Sequence, residues 1–342
     1  MSPRVRRALE LAGYVAFYLF ALFVFAYLTF PYERLRDRVL QEFNQRQTGP
    51  EALRLELDEL DSYWFSGVEA EGIRLISPPK PAALGAEPGA PSEKPSVMTI
   101  DSAHARVGIF GLLFGNVNVS FGAEAFGGDV SGHTSESDGA RELEVELDAL
   151  SLAEAPLLAS AVGLPLAGTI SGRIEFVLPE GKLSKADGVI SLQGAGLSVG
   201  DGKAKIRETI ALPTIEAGEL SLEGQSTAGQ LKVESLSIKG PDLELSSDGS
   251  VRLRDPLPTS LLNLTARFRF TERYTAKNEM TRALFGAAGS SMPGLFDLDP
   301  KNKRAKRSDG FYGWRASGPL SQPTFTPYPG AGGATPGTKL PR

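Results

Sequence analysis

Gly196-Leu197-Ser198-Val199-Gly200 matches the Gly-x-Ser-x-Gly pattern of a nucleophile elbow, where a strained strand-to-helix turn lifts a serine toward an acyl group. That chemistry needs a helix directly after the serine and a histidine later in the chain. Here Asp201-Gly202 follows, which predicts a turn. The chain has 2 histidines, His104 and His133, and both precede Ser198. Gly194-Ala195-Gly196-x-x-x-Gly200 comes close to a dinucleotide loop, but it has one residue too many and lacks the strand–turn–helix setting. It predicts a pair of hairpin turns. Asp297 and Asp299 hint at a cation, yet two carboxylates beside Pro300 do not make a hard-metal cage. Glu142, Glu144, Glu146 and Asp148 could supply acid and base, but they alternate with Leu143, Val145 and Leu147, as on the wet face of a strand. There are 0 cysteines, which removes thiolate chemistry and disulfides. The sequence therefore predicts no catalytic residue, no metal site, no cofactor and no enzyme.

The elements that carry these residues begin with a membrane segment. Leu11 to Phe30 (LAGYVAFYLFALFVFAYLTF) holds no charge and is apolar on every face. At about 1.5 Å per residue it spans a hydrocarbon core of about 30 Å. Tyr14, Tyr27 and Tyr32 sit toward its ends as interfacial rings. A cleaved signal peptide would be shorter and end in a small-x-small site, and Tyr27-Leu28-Thr29-Phe30-Pro31 offers none. Arg4, Arg6 and Arg7 precede the span and Arg34, Arg36 and Arg38 follow it, so charge alone leaves orientation nearly balanced. Long domains translocate whatever their charge, and the short basic N-terminus is therefore read as cytoplasmic, with the bulk in the periplasm.

Leu35, Val39 and Phe43 follow at helical spacing, in a helix either lying near the membrane surface or packed in the ordinary way. The period then becomes two: Leu53, Leu55, Leu57; Val117, Val119, Phe121; and Leu262 to Phe270 most clearly. Phe126-Gly127-Gly128, Gly224, Gly229, Gly240-Pro241 and Asp248-Gly249 read as turns. Helices are expected at Ser151–Ala161, behind a Ser151/Glu154 capping box, and at about Thr275–Ala288. The fold class is mainly β: a transmembrane helix, then an elongated antiparallel sheet, either trough or sandwich, with two short helices. The expected organisation is residues 1–10 cytoplasmic, 11–30 in the membrane, 31–50 a juxtamembrane helix and 51–77 first strands. Residues 78–96 form a flexible Pro/Gly-rich loop, 97–326 the main periplasmic β domain and 327–342 a disordered tail.

Charge is segregated behind a net of −5. Residues 51–150 carry 18 Asp/Glu against 6 Lys/Arg, which speaks against nucleic acid. Residues 297–342 carry 8 Lys/Arg against 3 Asp/Glu, including the run Lys301 to Arg307. That run is either a solvated loop or a contact for anionic lipid or an acidic partner.

Several motifs resemble the N component of bacterial type II secretion systems. They are Phe30-Pro31-Tyr32-x-x-Leu35; Trp64-Phe65-Ser66-Gly67-Val68; Gly240-Pro241-Asp242-Leu243 leading to Gly249 and Leu253; Pro256 and Ser260; and Gly318-Pro319-Leu320 with Pro323. The resemblance implies a non-enzymatic inner-membrane subunit with a periplasmic β domain, whose partners are other secretion subunits. Residues 100–172 also resemble AsmA-type periplasmic domains, on Phe126-Gly127-Gly128-x-Val130-x-Gly132 and Gly163-Leu164-Pro165-Leu166-x-Gly168. That second resemblance implies a β groove that handles membrane lipid. A trough filled by its own side chains would favour the first implication, and an open apolar groove the second.

Overall fold

Alternation at a period of two fixes which side chains share a face, and here it runs through nearly every strand of a single sheet. The computed structural model describes residues 3–47, 52–78, 96–108, 111, 115–155, 164–202, 205–206, 210–211, 213–286 and 293–330. Two helices lead: α1 (Pro3–Leu28) and α2 (Tyr32–Arg46). The first strands are β1 (Arg54–Glu56), β2 (Glu59–Tyr63), β3 (Gly67–Ser77), β4 (Ser96–Val107), β5 (Val117–Ala125) and β6 (Gly128–Ser137). Next come β7 (Ala140–Ser151), β8 (Leu166–Pro179), β9 (Asp187–Val199), β10 (Lys205–Ile206), β11 (Ile210–Ala211) and β12 (Ile215–Thr227). The series ends with β13 (Gln230–Lys239), β14 (Leu243–Arg252), β15 (Leu261–Phe270), β16 (Tyr312–Pro319) and β17 (Thr324–Pro327).

All but β10 and β11 join one open, 15-stranded antiparallel meander in sequence order, with β1 and β2 sharing β3 as neighbour. Among the described residues there is this one large open sheet and the two-stranded β10–β11 pair, an arrangement that agrees with the trough.

Register lines the alternating residues up across the sheet. Val68, Ala105, Phe121, Gly132, Val145 and Ile174 stand side by side from β3 to β8. Ile190, Gly224, Val233, Gly249, Leu264 and Ala316 continue the row to β16. No polar side chain interrupts it. The other face carries groups such as Glu146, Arg173, Ser191 and Glu223, also in register.

The apolar face lies on the inside of a curl. Leu178 of β8 and Val251 of β14 belong to one buried cluster with Ala186 and Leu253, although β9, β12 and β13 separate them. In a flat sheet four strand spacings would hold them about 19 Å apart. Leu183 and Ala186, in the β8–β9 connection, pack into the same cluster and close that end of the face. Irregular registers help the curl, since each bulge adds local twist. Gly249 is one such place: its φ is +140°, and a Cβ there would meet the carbonyl oxygen of Asn263 at 2.3 Å.

Asp255 clasps this closure. Its carboxylate accepts hydrogen bonds from the backbone N–H groups of Leu183 (3.0 Å) and Ser184 (3.2 Å) and from the Ser184 hydroxyl (2.9 Å). The Ser184 bonds, ahead of Leu183, hold the acid below its usual carboxylate range. A depressed folded-state value means that the clasp is intact above the unfolded value near 3.8 and is lost as pH falls through the folded one. Asp255→Ala is expected to speed amide exchange at Leu183 and Ser184 at neutral pH while leaving β3 to β6 protected. Acidification of the parent chain should give the same local pattern.

Several expectations need correction. Of the helix expected at Ser151–Ala161, the described part holds a 3-10 turn, Leu152–Glu154, and residues 156–163 lie outside the described residues. Ser151 belongs to β7 and its side chain makes no capping bond, so the capping box does not form. The helix expected over Thr275–Ala288 is two helices, α3 (Glu272–Thr275) and α4 (Glu279–Phe285). Asn278 splits them by accepting from the Thr281 N–H at 2.8 Å, which starts a new helix. Two more, α5 (Leu295–Leu298) and α6 (Pro300–Ala305), bring the short helices of this stretch to four among the described residues. The basic run is largely α6 and not a solvated loop.

Gly224 and Gly249 sit inside strands at register irregularities, not in turns. Gly194 to Gly196 likewise lies within β9, opposite register shifts, and not in hairpin turns. Phe126 and Gly127 do form a two-residue hairpin turn, with φ of +54° and +66°. The 78–96 loop, apart from its two end residues, and most of the tail lie outside the described residues.

From Leu11 onward the described side chains of α1 are mostly exposed, among them Leu11, Phe17, Leu19, Phe20, Leu22 and Phe25. Side chains of residues 3–10, Phe23 and Ala26 are outside the description. Among the described residues, no helix is long and apolar enough to cross a membrane.

Candidate functional site

The residues with chemical potential are dispersed. Ser198 lies near the end of β9 between β8 and β12, with a strand on each side and no helix after it. His104 stacks on Tyr63, ring centroids 4.4 Å apart, and His133 approaches Glu144 at 3.5 Å on the outer face. Arg173 runs between the acid residues of that face, 3.6 Å from both Glu144 and Glu146 and 3.4 Å from Glu175. Asp299 accepts from the N–H groups of Lys301 (2.7 Å) and Asn302 (3.4 Å), capping α6. Asp297 accepts the Tyr312 hydroxyl at 2.6 Å and pairs with Lys306. Among the described residues, no three His, Asp or Glu side chains gather as a metal site.

What the fold does assemble is the apolar face, and its two ends are built differently. At the far end α3 to α6 cover β15 and β16 with a cluster of rings. Phe270 meets Phe268, Tyr274, Phe285 and Phe296 at centroid distances of 5.8, 5.4, 4.7 and 6.2 Å. Tyr312 stacks on Phe268 and meets Phe296 edge-on. Burial, then the neighbouring Asp297, pushes the Tyr312 phenol up. Tyr274 is fully buried and donates to the Pro213 carbonyl at 2.9 Å.

Burial, and after it the charge of Asp242, pushes the Tyr274 phenol up to about 12. A phenol raised above its unfolded value near 10.0 leaves stability unchanged below that pH. Between pH 10 and 12 the unfolded chain ionises first and stability falls. Alkaline titration of the full chain should therefore release the cap in that window, read as loss of near-ultraviolet circular dichroism, and Tyr274→Phe should flatten the descent.

At the near end the first strands meet α1 and α2. Tyr27 donates to Ser62 at 3.2 Å and its ring lies 6.1 Å from that of Phe65. Tyr32 pairs with Phe30 at 4.9 Å, while Tyr14 stays exposed on α1. A cavity of about 380 Å³ opens here among Tyr27, Phe30, Tyr32, Leu35, Phe65, Val68, Ala105 and Val107. Three of these, Val68, Ala105 and Val107, lie on the apolar face of β3 and β4. Asn44 of α2 exchanges two hydrogen bonds with the backbone of Leu55, satisfying β1 as a further strand would.

No protein-family model, no curated protein and no solved structure matches this chain.

The motif positions fall at these ends and at turns between. Pro31, Trp64 and Gly67 surround the junction with α1. Gly127 and Gly128 make the β5–β6 hairpin. Leu253 is buried beside Val251, Pro256 starts the 3-10 turn that precedes β15, and Gly249 allows close approach of β15. Gly318 and Pro323 flank the β16–β17 connection, where Leu320 and Ser321 donate to the Ser260 and Pro258 carbonyls. Sequence reasoning missed the aromatic cap and Asp242. The rings of Phe268, Phe270, Phe285, Phe296 and Tyr312 are scattered over two strands and two helices, and only the fold brings them together.

Proposed function

We propose that this chain is a non-enzymatic envelope protein of the type II secretion N kind. In this reading α1 anchors it in the bacterial inner membrane with the N-terminus cytoplasmic, and the sheet stands in the periplasm. It works by position, meeting other secretion subunits through the sheet. The supporting observation is the single continuous meander that follows α1 and α2 and ends on β17, which among the described residues pairs on one edge with β16 and leaves its other edge open. β17 is four residues long with Phe325 59% exposed, and its outer edge can take a partner's strand. Crosslinking in intact membranes followed by mass spectrometry tests this. Recovery of secretion subunits joined near Thr324–Pro327 supports it, and recovery of lipid alone overturns it.

A second reading, an AsmA-like lipid groove, has its own observation. On β5 to β9 the aliphatic side chains Val119, Val145, Ile174, Ile190 and Leu192 are only half-buried, without a covering helix among the described residues. A face about 50 Å long measured across β3 to β16 would fit acyl chains. Phospholipid that co-purifies with the chain, and is lost from a Val145→Glu/Ile190→Glu variant, would support this reading.

A further inference from the structure

The β2–β3 turn has a feature that packing does not explain. Gly67 is required where it stands, because a Cβ would lie 2.6 Å from the Ala105 carbonyl oxygen and 2.7 Å from that of Tyr63. Ser66 ties the turn to β4 by donating from its hydroxyl to the Val107 carbonyl at 2.7 Å. Trp64 and Phe65, between these fixed points, project outward with 63% and 67% of their surface exposed. Trp64 does so at a φ of +51°, a conformation that bulky residues avoid. Two adjacent, exposed aromatic rings held on a pinned turn mark a contact surface.

The occupant follows from position. Phe65 touches Tyr27, one residue from the end of α1, and Phe30 (48% exposed) lies against the same cavity. If α1 crosses the bilayer, Tyr27 stands at the level of the headgroups and the turn stands beside it. Tryptophan and its aromatic neighbours are the side chains that settle at that depth. The nearby charges of α2 are mixed: Arg34 and Arg38 are exposed, but so are Glu33 and Asp37. The attraction is thus apolar more than electrostatic.

We propose that the Trp64–Phe65 turn inserts into the headgroup–acyl boundary of the bilayer that holds α1, as a second membrane contact that fixes the sheet's near end to the membrane surface. This rests on the reading of α1 as a membrane anchor.

The chain has 2 tryptophans, Trp64 and Trp314, so Trp314→Phe leaves Trp64 as sole reporter. The full chain would be reconstituted in vesicles of phosphatidylcholine and phosphatidylglycerol, with and without lipid brominated near the headgroup end of its acyl chains. Trp64 emission should shift to the blue and be at least halved by the bromolipid. Should Trp314→Phe fold poorly, the difference between the parent chain and Trp64→Phe gives the same emission. Alkaline extraction of the same vesicles separates the two ideas. A chain retained in the membrane with unquenched, water-like Trp64 emission overturns the insertion and leaves the anchor standing. Unquenched emission with release into solution overturns both. Quenching despite release sustains the insertion and overturns the anchor.

Discussion

Asp242→Ala is expected to destabilise the far half of the sheet by about 3 kcal/mol, the cost of removing a buried acceptor from partners arranged around it. Asp242 is fully buried at the end of the β13–β14 corner, directly before β14. Its Oδ2 accepts from the Glu216 N–H at 3.0 Å and from the Lys277 ammonium at 3.1 Å, and Arg273 stands 3.6 Å from Oδ1. Its backbone joins in, donating to the Glu216 carbonyl and accepting from the Thr271 N–H. One residue thus links β12, the β13–β14 corner and the entry to α3. Arg273 and Lys277 are partly exposed and can return to water when the carboxylate is gone. The Glu216 N–H loses its side-chain acceptor, and the space vacated adds a cavity. Asp242→Asn keeps an acceptor for that N–H and should cost about 1 kcal/mol. Urea unfolding of the full chain in detergent, followed by fluorescence, measures both. A loss under about 0.5 kcal/mol for the alanine variant would rank Asp242 with ordinary surface pairs and sink the idea.

The fold was legible where neighbouring residues decide it. Leu262 to Phe270 alternates strictly and forms β15; Phe126-Gly127 makes its hairpin turn; Leu35 and Phe43 lie on α2, which follows Pro31. It was less legible where distant atoms decide it. Gly249 looks like a turn after Asp248, and only the approach of Asn263 from β15 explains why glycine is needed inside a strand. Asn278 reads as a minor polar residue in a helical stretch, yet its side chain starts a new helix. Alternation also cannot tell a trough from a sandwich. Both bury one face, and the choice depends on whether a second sheet exists to cover it.

The candidate site divides the same way. Gly67, Gly128, Leu253 and Pro256 were singled out by sequence and turn out to hold strand ends, turns and the curl. Asp242 lay within the Gly240-Pro241-Asp242-Leu243 motif without being assigned a task, because its partners Glu216 and Lys277 are 26 and 35 positions away. Asp255 was likewise invisible, since Leu183 and Ser184 precede it by 72 and 71 positions. A long meander that curls brings such separated segments together, and no local pattern announces it.

Phe270→Ala should cost about 3 kcal/mol, the range for deleting a large core ring, even though the site keeps some solvent contact. The ring touches four others, and each such pair adds about 0.5–1.5 kcal/mol beyond its buried area. Phe285 of α4 reaches the sheet through Phe270, and Phe296 of α5 touches both Phe270 and Tyr312 of β16, so the loss falls on the helical cap before it reaches the strands. Amide exchange should accordingly accelerate across Glu279–Phe285 and Leu295–Leu298, while β4 to β7 keep the parent's protection. Phe270→Leu retains most of the volume without the edge-on geometry and should cost about half as much. Uniform loss of protection along the whole sheet would mean that the cap and the meander open as one unit. The curl would then depend on the cap, and the apolar face could not be exposed at one end without unfolding at the other. Local loss, the expected result, leaves the near end at α1 and α2 intact while the far end opens, which makes the two ends of the apolar face separately adjustable.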